Sequence, residues 1–314
     1  MFNFTFIDLF AGIGGFHLAA ASLGGKCVFA SEIDSEAKRA YEANFGLIPH
    51  GDITKIEVND IPDHDVLFAG FPCQPFSIIG NRLGFDDIRG TLFFEIARIL
   101  KYKNNKPRFF ILENVKQLVG HNNGNTLQTI LQSLSDLGYK VYWNILNALN
   151  YGLPQKRERT IIVGFLNHTI SFQFPKSTET IKLEDILEQD SNVDPKYFAS
   201  ENIVNKRQAK HISKYYPSIW HENKSGNISS YPYSCALRAG ASYNYLLVNG
   251  RRRLTPREML RLQGFPDNYN IVCNDSQTRK QAGNAVPVNL IKAVLKEALI
   301  AETKIKRQYW QKAI

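Results

Sequence analysis

One short passage constrains what this chain can become. Asp65-Val66-Leu67-Phe68-Ala69 is apolar after its leading acid, and it runs into Gly70-Phe71-Pro72-Cys73-Gln74-Pro75-Phe76-Ser77. A short apolar run bounded by turn residues reads as a strand covered on both faces, the kind found in parallel sheets. Gly70 and Pro72 mark the point where such a strand leaves the sheet. Cys73 is therefore expected at the carboxyl edge of a central sheet, where open α/β folds bind their ligands. The flanking prolines restrict the backbone around the thiol. An isolated cysteine is most often a small buried hydrophobe, which needs no such setting. The position argues instead for a nucleophile. A thiol attacks only as thiolate, so a cation that lowers its pKa is expected nearby.

The amino-terminal stretch repeats the α/β theme. Phe4-Thr5-Phe6-Ile7-Asp8-Leu9-Phe10 is a strand, Ala11-Gly12-Ile13-Gly14-Gly15 a glycine turn, and Phe16 to Leu23 a helix. Glycines let the backbone approach a ligand and adopt φ angles that other residues resist. A plain tight turn would look the same. Lys26 to Ser31 makes the next strand, with Glu32 at its end. That places an acid about twenty residues after Gly12, where one can bind ribose hydroxyls. A nicotinamide dehydrogenase shows the same arrangement, so the pair points to an adenosyl cofactor without choosing which. Ile33 could cover an adenine face. Asp52, in Gly51-Asp52-Ile53, could accept from an adenine amino group or cap a helix.

Further strands are expected at Arg108–Leu112, Lys140–Leu146 and Thr160–Phe165, and helices at Thr91–Leu100 and Asn125–Leu137. Glu113-Asn114-Val115 falls at the strand edge that also carries Cys73. The polar, glycine-punctuated passage from Ile78 to Gly90 reads as a mobile lid beside the cysteine. Gln155-Lys156-Arg157-Glu158-Arg159 is a charged turn between apolar runs, so Arg157 and Arg159 could face the site. Arg159 is a candidate to stabilise the thiolate or to bind a carbonyl oxygen. From about 175 to 254 the βα alternation lapses, and aromatic and basic residues interleave, as in Lys214-Tyr215-Tyr216. That segment reads as a small second domain touching nucleic acid, with Arg251-Arg252-Arg253 as candidate phosphate contacts. Alternation then resumes. Thr255-Pro256-Arg257-Glu258 carries the signature of a capped helix start. Gln281 to Pro287 reads as a turn before a helix beginning near Val288.

Composition removes several classes. A length of 314 residues with 44% hydrophobic content supports one large α/β domain and a smaller one. No apolar run reaches the roughly 18 residues of a membrane span, and Met1-Phe2-Asn3-Phe4 has no basic region of a secretion signal. Cys27, Cys73, Cys235 and Cys273 are scattered without a CxxC pair, against a zinc site or a disulfide framework. No metal is expected, and a reducing cytoplasm is. The net charge of +9 fits a polyanionic partner.

An adenosyl cofactor, a thiolate, an acid and an arginine fit one reaction well. Cytosine C5 is a poor nucleophile until a thiolate adds at C6, and the ring then needs a proton or strong hydrogen bond at N3. A carboxyl group with a raised pKa can supply it. The base must leave the duplex for this chemistry. The chain resembles the DNA (cytosine-5)-methyltransferase family, small bacterial restriction-modification type. The resemblance rests on six passages in order: Asp8 to Gly15, Gly70 to Ser77, Glu113 to Val115, Gln155 to Arg159, Arg261 to Pro266 and Gly283 to Pro287. The layout looks most like that of the shortest members.

The resemblance implies a fold and a set of roles. The fold is an α/β, Rossmann-like, S-adenosylmethionine-dependent methyltransferase with a mixed sheet and a smaller DNA-recognition domain. Residues 1–174 plus 255–314 would form the catalytic domain and 175–254 the target-recognition domain. Cys73 would be the C6 nucleophile, Glu113 the contact to N3 and the exocyclic amine, and Arg159 the contact to the carbonyl oxygen, with Arg157 supporting the site. Phe10 would pack on adenine, Glu32 hold the ribose, and Ile33, Asp52 and Ile53 frame the base. Pro72, Asn284 and Val286 would line the cofactor pocket beside Gly12 and Gly14. Ala285 stands where the family often has serine, so the resemblance implies no side-chain contact to the cofactor at that position. The implied partner is double-stranded DNA, bound by a monomer in the bacterial cytoplasm at the nucleoid, with no membrane involved and a cognate restriction endonuclease acting separately. A tRNA cytosine methyltransferase and a catalytically silent DNA-binding module are the alternatives.

Overall fold

A computed structural model describes residues 1–72 and 92–312. Its centre is a sheet. In chain order the elements of the first half are β1 (Phe4–Leu9), α1 (Gly15–Ala21), β2 (Gly25–Ser31), α2 (Ser35–Phe45), β3 (Val66–Gly70), α3 (Leu92–Tyr102), β4 (Phe109–Val115), α4 (Asn125–Asp136) and β5 (Lys140–Asn147). β6 (Gln155–Lys156) and β7 (Glu158–Phe165) follow. Then come α5 (Glu201–Gln208), β8 (Ile219–Glu222), β9 (Ile228–Tyr231), β10 (Ser234–Cys235), β11 (Leu246–Val248), α6 (Pro256–Leu262), α7 (Asp275–Asn284) and α8 (Val288–Lys312).

The six-stranded sheet runs β2-β1-β3-β4-β7-β5. β1 pairs in parallel with β2 and β3, and β3 with β4; β7 pairs antiparallel with β4. The sheet is mixed, as the family resemblance implies. Val66, Leu67, Phe68 and Ala69 of β3 are wholly inaccessible, so the apolar run belongs to a strand covered on both faces. β1 lies between β2 and β3, so successive connections leave it in opposite directions. That reversal makes a crevice at the carboxyl ends of the strands. Amphipathic helices close the core: α3 buries Phe93, Ile96, Ala97 and Leu100, and α4 buries Leu127, Ile130 and Leu134.

Two compact units emerge. One comprises residues 1–146, 158–176 and 291–314; the other comprises 147–157 and 177–290. The second unit thus gathers β6, α6 and α7 with the irregular segment, so compactness divides the chain differently from the functional boundaries of the sequence reading. Its regular structure is sparse. A three-stranded antiparallel sheet, β11-β8-β9, is surrounded by short helical turns. α6 starts as the sequence indicates: the Thr255 hydroxyl accepts from the Glu258 amide and the Glu258 carboxylate accepts from the Thr255 amide.

Three sequence expectations change. Gln155 and Lys156 are not turn but a short strand, parallel to Ser234–Cys235. Gln281 to Asn284 close helix α7, and the turn begins only at Ala285. Arg252 is no phosphate contact. It is 1% exposed, and its guanidinium donates twice to Glu258 at 2.9 Å and once to Asp190 at 2.6 Å. The Arg251-Arg252-Arg253 run owes its middle charge to a buried carboxylate in α6.

Candidate active site

Three strand ends meet at one edge of the sheet. Gly70, the last residue of β3, is in register with Glu113 near the end of β4. The Asn114 side chain donates to the Phe71 carbonyl at 3.0 Å, tying the exit of β3 to β4. Pro72 follows, exposed. Cys73 and the passage from Ile78 to Gly90 lie outside the described residues.

β7 brings the arginine. Because it runs antiparallel to β4, its first residues reach the edge where β4 ends, with Arg159 opposite Val115 and Ile161 opposite Glu113. Arg159 and Glu113 are therefore diagonal neighbours on one face of the ladder, within reach of long side chains. Arg159 Nε lies 2.6 Å from Glu113 Oε1, and the two side chains are 12% and 10% exposed. Arg159 Nη1 donates to the Glu158 carbonyl at 2.8 Å. An ion pair this sheltered fixes both groups, since removing either leaves a buried charge unpaired.

The glycine loop after β1 is built for close approach. Phe10 and Gly12 have φ of 56° and 54°, in the left-handed region. For a bulky residue such as Phe10 that conformation is costly and marks functional loops. A Cβ on Gly12 would meet nothing within 4 Å, so the loop presents open backbone there. Gly14 serves packing instead: with φ of 83°, a Cβ would fall 2.1 Å from the Phe45 ring. Glu32 sits beneath the loop, accepting from the Gly12 amide and from the Asp34 amide, each at 2.8 Å. A carboxylate can accept about four bonds, so capacity remains for ligand hydroxyls. Ile33 beside it is 74% exposed. A carboxylate, an exposed aliphatic side chain and an open glycine backbone are what ribose, adenine and a close-lying chain require. These residues fit an adenosyl group.

The other candidates sit as follows. Asp52 caps the helical turn Ile53–Lys55, accepting from the Thr54 hydroxyl at 2.8 Å and its amide at 3.0 Å, bonds that lower its pKa. Ile53 is a core residue, 2% exposed. Asn284 is exposed and Val286 is buried, both in the second unit. Arg157 also belongs there, 1% exposed. Its Nη1 donates to the Leu237 carbonyl at 3.0 Å, and its Nη2 to those of Gly283 at 3.0 Å and Ala285 at 2.8 Å. Gln155 works alongside it, donating to the Leu262 carbonyl and accepting from the Leu237 amide.

Sequence reasoning passed over Asp8, Asn114 and Gln155 as working side chains. Asp8 is wholly buried, and neither carboxyl oxygen is hydrogen-bonded. Burial, and after it the Glu32 carboxylate, push its pKa well up; the His17 amide pulls the other way without reaching hydrogen-bond geometry. The available signal was an acid inside a strand covered on both faces. For Asn114 and Gln155 it was only their place in the quoted passages. Among the described residues no cluster of three or more His, Cys, Asp or Glu could hold a metal ion.

The family model for C-5 cytosine-specific DNA methylases matches residues 4–299. The chain belongs to this family. It is a DNA (cytosine-5)-methyltransferase, and it uses S-adenosylmethionine. Type II methyltransferase M.NgoBI of Neisseria gonorrhoeae is 57% identical over 293 residues, covering 92% of this chain and 91% of the relative. Type II methyltransferase M.HaeII of Haemophilus aegyptius is 54% identical over 314 residues, covering 99% and 98%. Among solved structures, a mutant of Spodoptera frugiperda DNMT2 superposes with a TM-score of 0.72 at 23% identity, covering 94% of this methyltransferase and 99% of that chain. That last likeness is one of fold.

Proposed function

We propose that this methyltransferase modifies one cytosine of a specific duplex sequence through a covalent adduct at Cys73, as the modification arm of a restriction-modification system. The relatives named Type II methyltransferases support the biological setting. The Glu113–Arg159 pair, held at the sheet edge where β3 leads into Cys73, carries the chemical reading.

Cys73 thiolate forms a bond to C6 of the flipped-out base. Glu113 holds a proton or hydrogen bond at N3, so that negative charge does not accumulate there, and Arg159 donates to the carbonyl oxygen. S-adenosylmethionine supplies the electrophilic methyl group that C5 takes up. Loss of the C5 proton to a base then expels the Cys73 sulfur and restores the ring. Glu32, Ile33, Phe10 and Asp52 hold the adenosyl part against Gly12 and Gly14, with Pro72 and Ile53 on the same unit; the resemblance assigns Asn284 and Val286 to cofactor binding as well. Arg157 takes the supporting role that the resemblance implies by holding together the second unit. Residues 175–254 read the DNA sequence. The enzyme acts as a monomer, without a metal, in the bacterial cytoplasm, and a separate endonuclease cuts the unmodified site.

A duplex carrying 5-fluorocytosine at the target tests the mechanism. Fluorine cannot leave as a cation in place of the proton, so the base stays bonded to Cys73. With S-adenosylmethionine present, a complex surviving denaturing electrophoresis is expected, and none with Cys73→Ala. An active enzyme that gives no adduct, or an adduct through another residue, would overturn the thiolate mechanism.

A further inference from the structure

A cavity of about 220 Å³ opens within the second unit. Leu237, Leu246, Leu254 and Met259 give it an apolar floor. Lys196, Arg238, Arg253 and Arg279 set cations around it against one carboxylate, Asp275. That carboxylate is already engaged: Lys196 Nζ lies 3.0 Å away and the Tyr197 hydroxyl donates to it at 2.7 Å. The cationic character that remains comes from guanidinium groups.

Those groups are arranged around rings. The Arg279 guanidinium lies 4.1 Å from the Tyr243 ring centroid and that of Arg253 lies 5.6 Å from it. Arg238 stands 4.9 Å over Tyr245. Arg279 is fixed by a bond from Nη1 to the Ala241 carbonyl at 2.9 Å, and Arg253 by a bond from Nη2 to the Lys196 carbonyl. Yet the Nε atoms of both are buried with no partner. Those Nε atoms are closed off from the cavity, but each guanidinium carries further N–H donors beyond the one bonded to a carbonyl, and these can serve an acceptor in the cavity. Tyr243 itself is 50% exposed.

An acceptor-bearing anion with a flat apolar face suits all of this. A phosphate alone would leave the apolar floor unused. An aliphatic side chain would leave the guanidinium groups unpaired. A nucleotide meets both needs: its base stacks on tyrosine or guanidinium planes and its phosphate takes the arginine donors. The cavity is smaller than the roughly 300–1,000 Å³ of drug-sized sites, which fits one base.

We propose that this cavity receives one unstacked nucleotide of the bound duplex, distinct from the methylated cytosine, with its base against Tyr243 and its phosphate at Arg253 and Arg279. The proposal rests on the reading that the second unit handles DNA. It gives the enzyme a way to test a neighbouring base for ease of unstacking, a cost that depends on sequence.

The test uses the full-length enzyme and a duplex containing its site, mapped beforehand by bisulfite sequencing. 2-Aminopurine, dim when stacked and bright when unstacked, replaces one base at a time. The expected result is brightening at the target position and at one other. The second signal should vanish in Tyr243→Leu, persist in Tyr243→Phe, and weaken in Arg279→Gln, while the target signal remains in all three. Brightening at the target alone overturns the cavity's role and leaves the base-flipping mechanism standing. No brightening anywhere overturns both. A second signal indifferent to Tyr243→Leu places that base elsewhere. Calorimetric binding of free deoxyadenosine monophosphate, without a second signal in the duplex, would assign the cavity to a free nucleotide and refute the proposal.

Discussion

At the edge of the six-stranded sheet, strand register brings Glu113 and Arg159 together. In the second unit, a buried guanidinium brings together Leu237, Gly283 and Ala285. The two arginines involved, Arg159 and Arg157, are separated by a single residue. One meets a carboxylate through the regular geometry of a ladder; the other replaces regular geometry that its surroundings lack. A side chain placed by a ladder can be altered with the fold intact, so its loss should fall on chemistry. A side chain that is itself the link should fall on stability when removed.

Arg157→Leu tests the second half of that contrast and should have the largest effect. Three buried carbonyls lose their donor, at about 1–3 kcal/mol for each group left unpaired. Denaturant unfolding should show a loss on the order of 4 kcal/mol, with the methyl-transfer rate per folded molecule little changed. A variant of normal stability whose transfer rate collapses would move Arg157 into the chemistry and break the comparison.

Glu113→Gln tests the first half. The amide can accept a hydrogen bond but cannot supply a proton, so single-turnover methylation should slow by on the order of 10²-fold, about 2.7 kcal/mol in barrier. A folding loss exceeding the rate loss would make Glu113 a fold-holding group like Arg157.

The regular unit has one irregularity of its own. Under the glycine loop, His17 Nδ1 lies 2.8 Å from the Tyr41 hydroxyl, and the imidazole stacks on Phe45 at 3.9 Å. Burial lowers the His17 pKa to about 4. The unfolded chain, with an ordinary histidine near 6.5, therefore binds more protons between those two values. Stability contributed by neutral His17 is complete above pH 6.5 and is lost as pH falls towards 4. At pH 5 the loss should reach on the order of 2 kcal/mol. His17→Phe should remove that slope, read as the difference in unfolding free energy between the two proteins from pH 7 to pH 5. A difference that stays constant with pH would show His17 titrating normally, and acid sensitivity would then lie elsewhere.

Legibility in the sequence follows the same divide. Strands β1 to β4 and the helices around them announce themselves because burial on both faces demands unbroken apolar runs and because α/β connections alternate. The edge position of Glu113 follows from where those runs stop. The antiparallel sense of β7 does not, because direction within a sheet leaves no mark on hydrophobic pattern; yet that sense carries Arg159 to Glu113. The second unit was legible mainly as a lapse in alternation. Its order depends on buried polar side chains, and Arg252 beside Arg251 and Arg253 reads as surface charge until Glu258 and Asp190 are found against it. Asp8 escaped notice for a related reason: one acid among apolar neighbours does not disturb a strand's pattern.

Gly12→Ala is the mildest of these tests and sharpens the comparison most. Its φ of 54° disfavours a side chain, at about 1–2 kcal/mol for an L-residue in the left-handed region. A methyl group there meets no protein atom within 4 Å, so no packing penalty is added. The expected loss in unfolding free energy is thus about 1 kcal/mol. If the open backbone at Gly12 is where the cofactor chain lies close, the same methyl group occupies that space. Calorimetric titration should then show S-adenosylhomocysteine binding weakened by about tenfold or more, equivalent to about 1.4 kcal/mol. Gly14→Ala supplies the contrast, since its methyl group would strike Phe45 and the effect should fall on folding. Unchanged product affinity in a folded Gly12→Ala enzyme would show that the loop's open face is a feature of the turn alone.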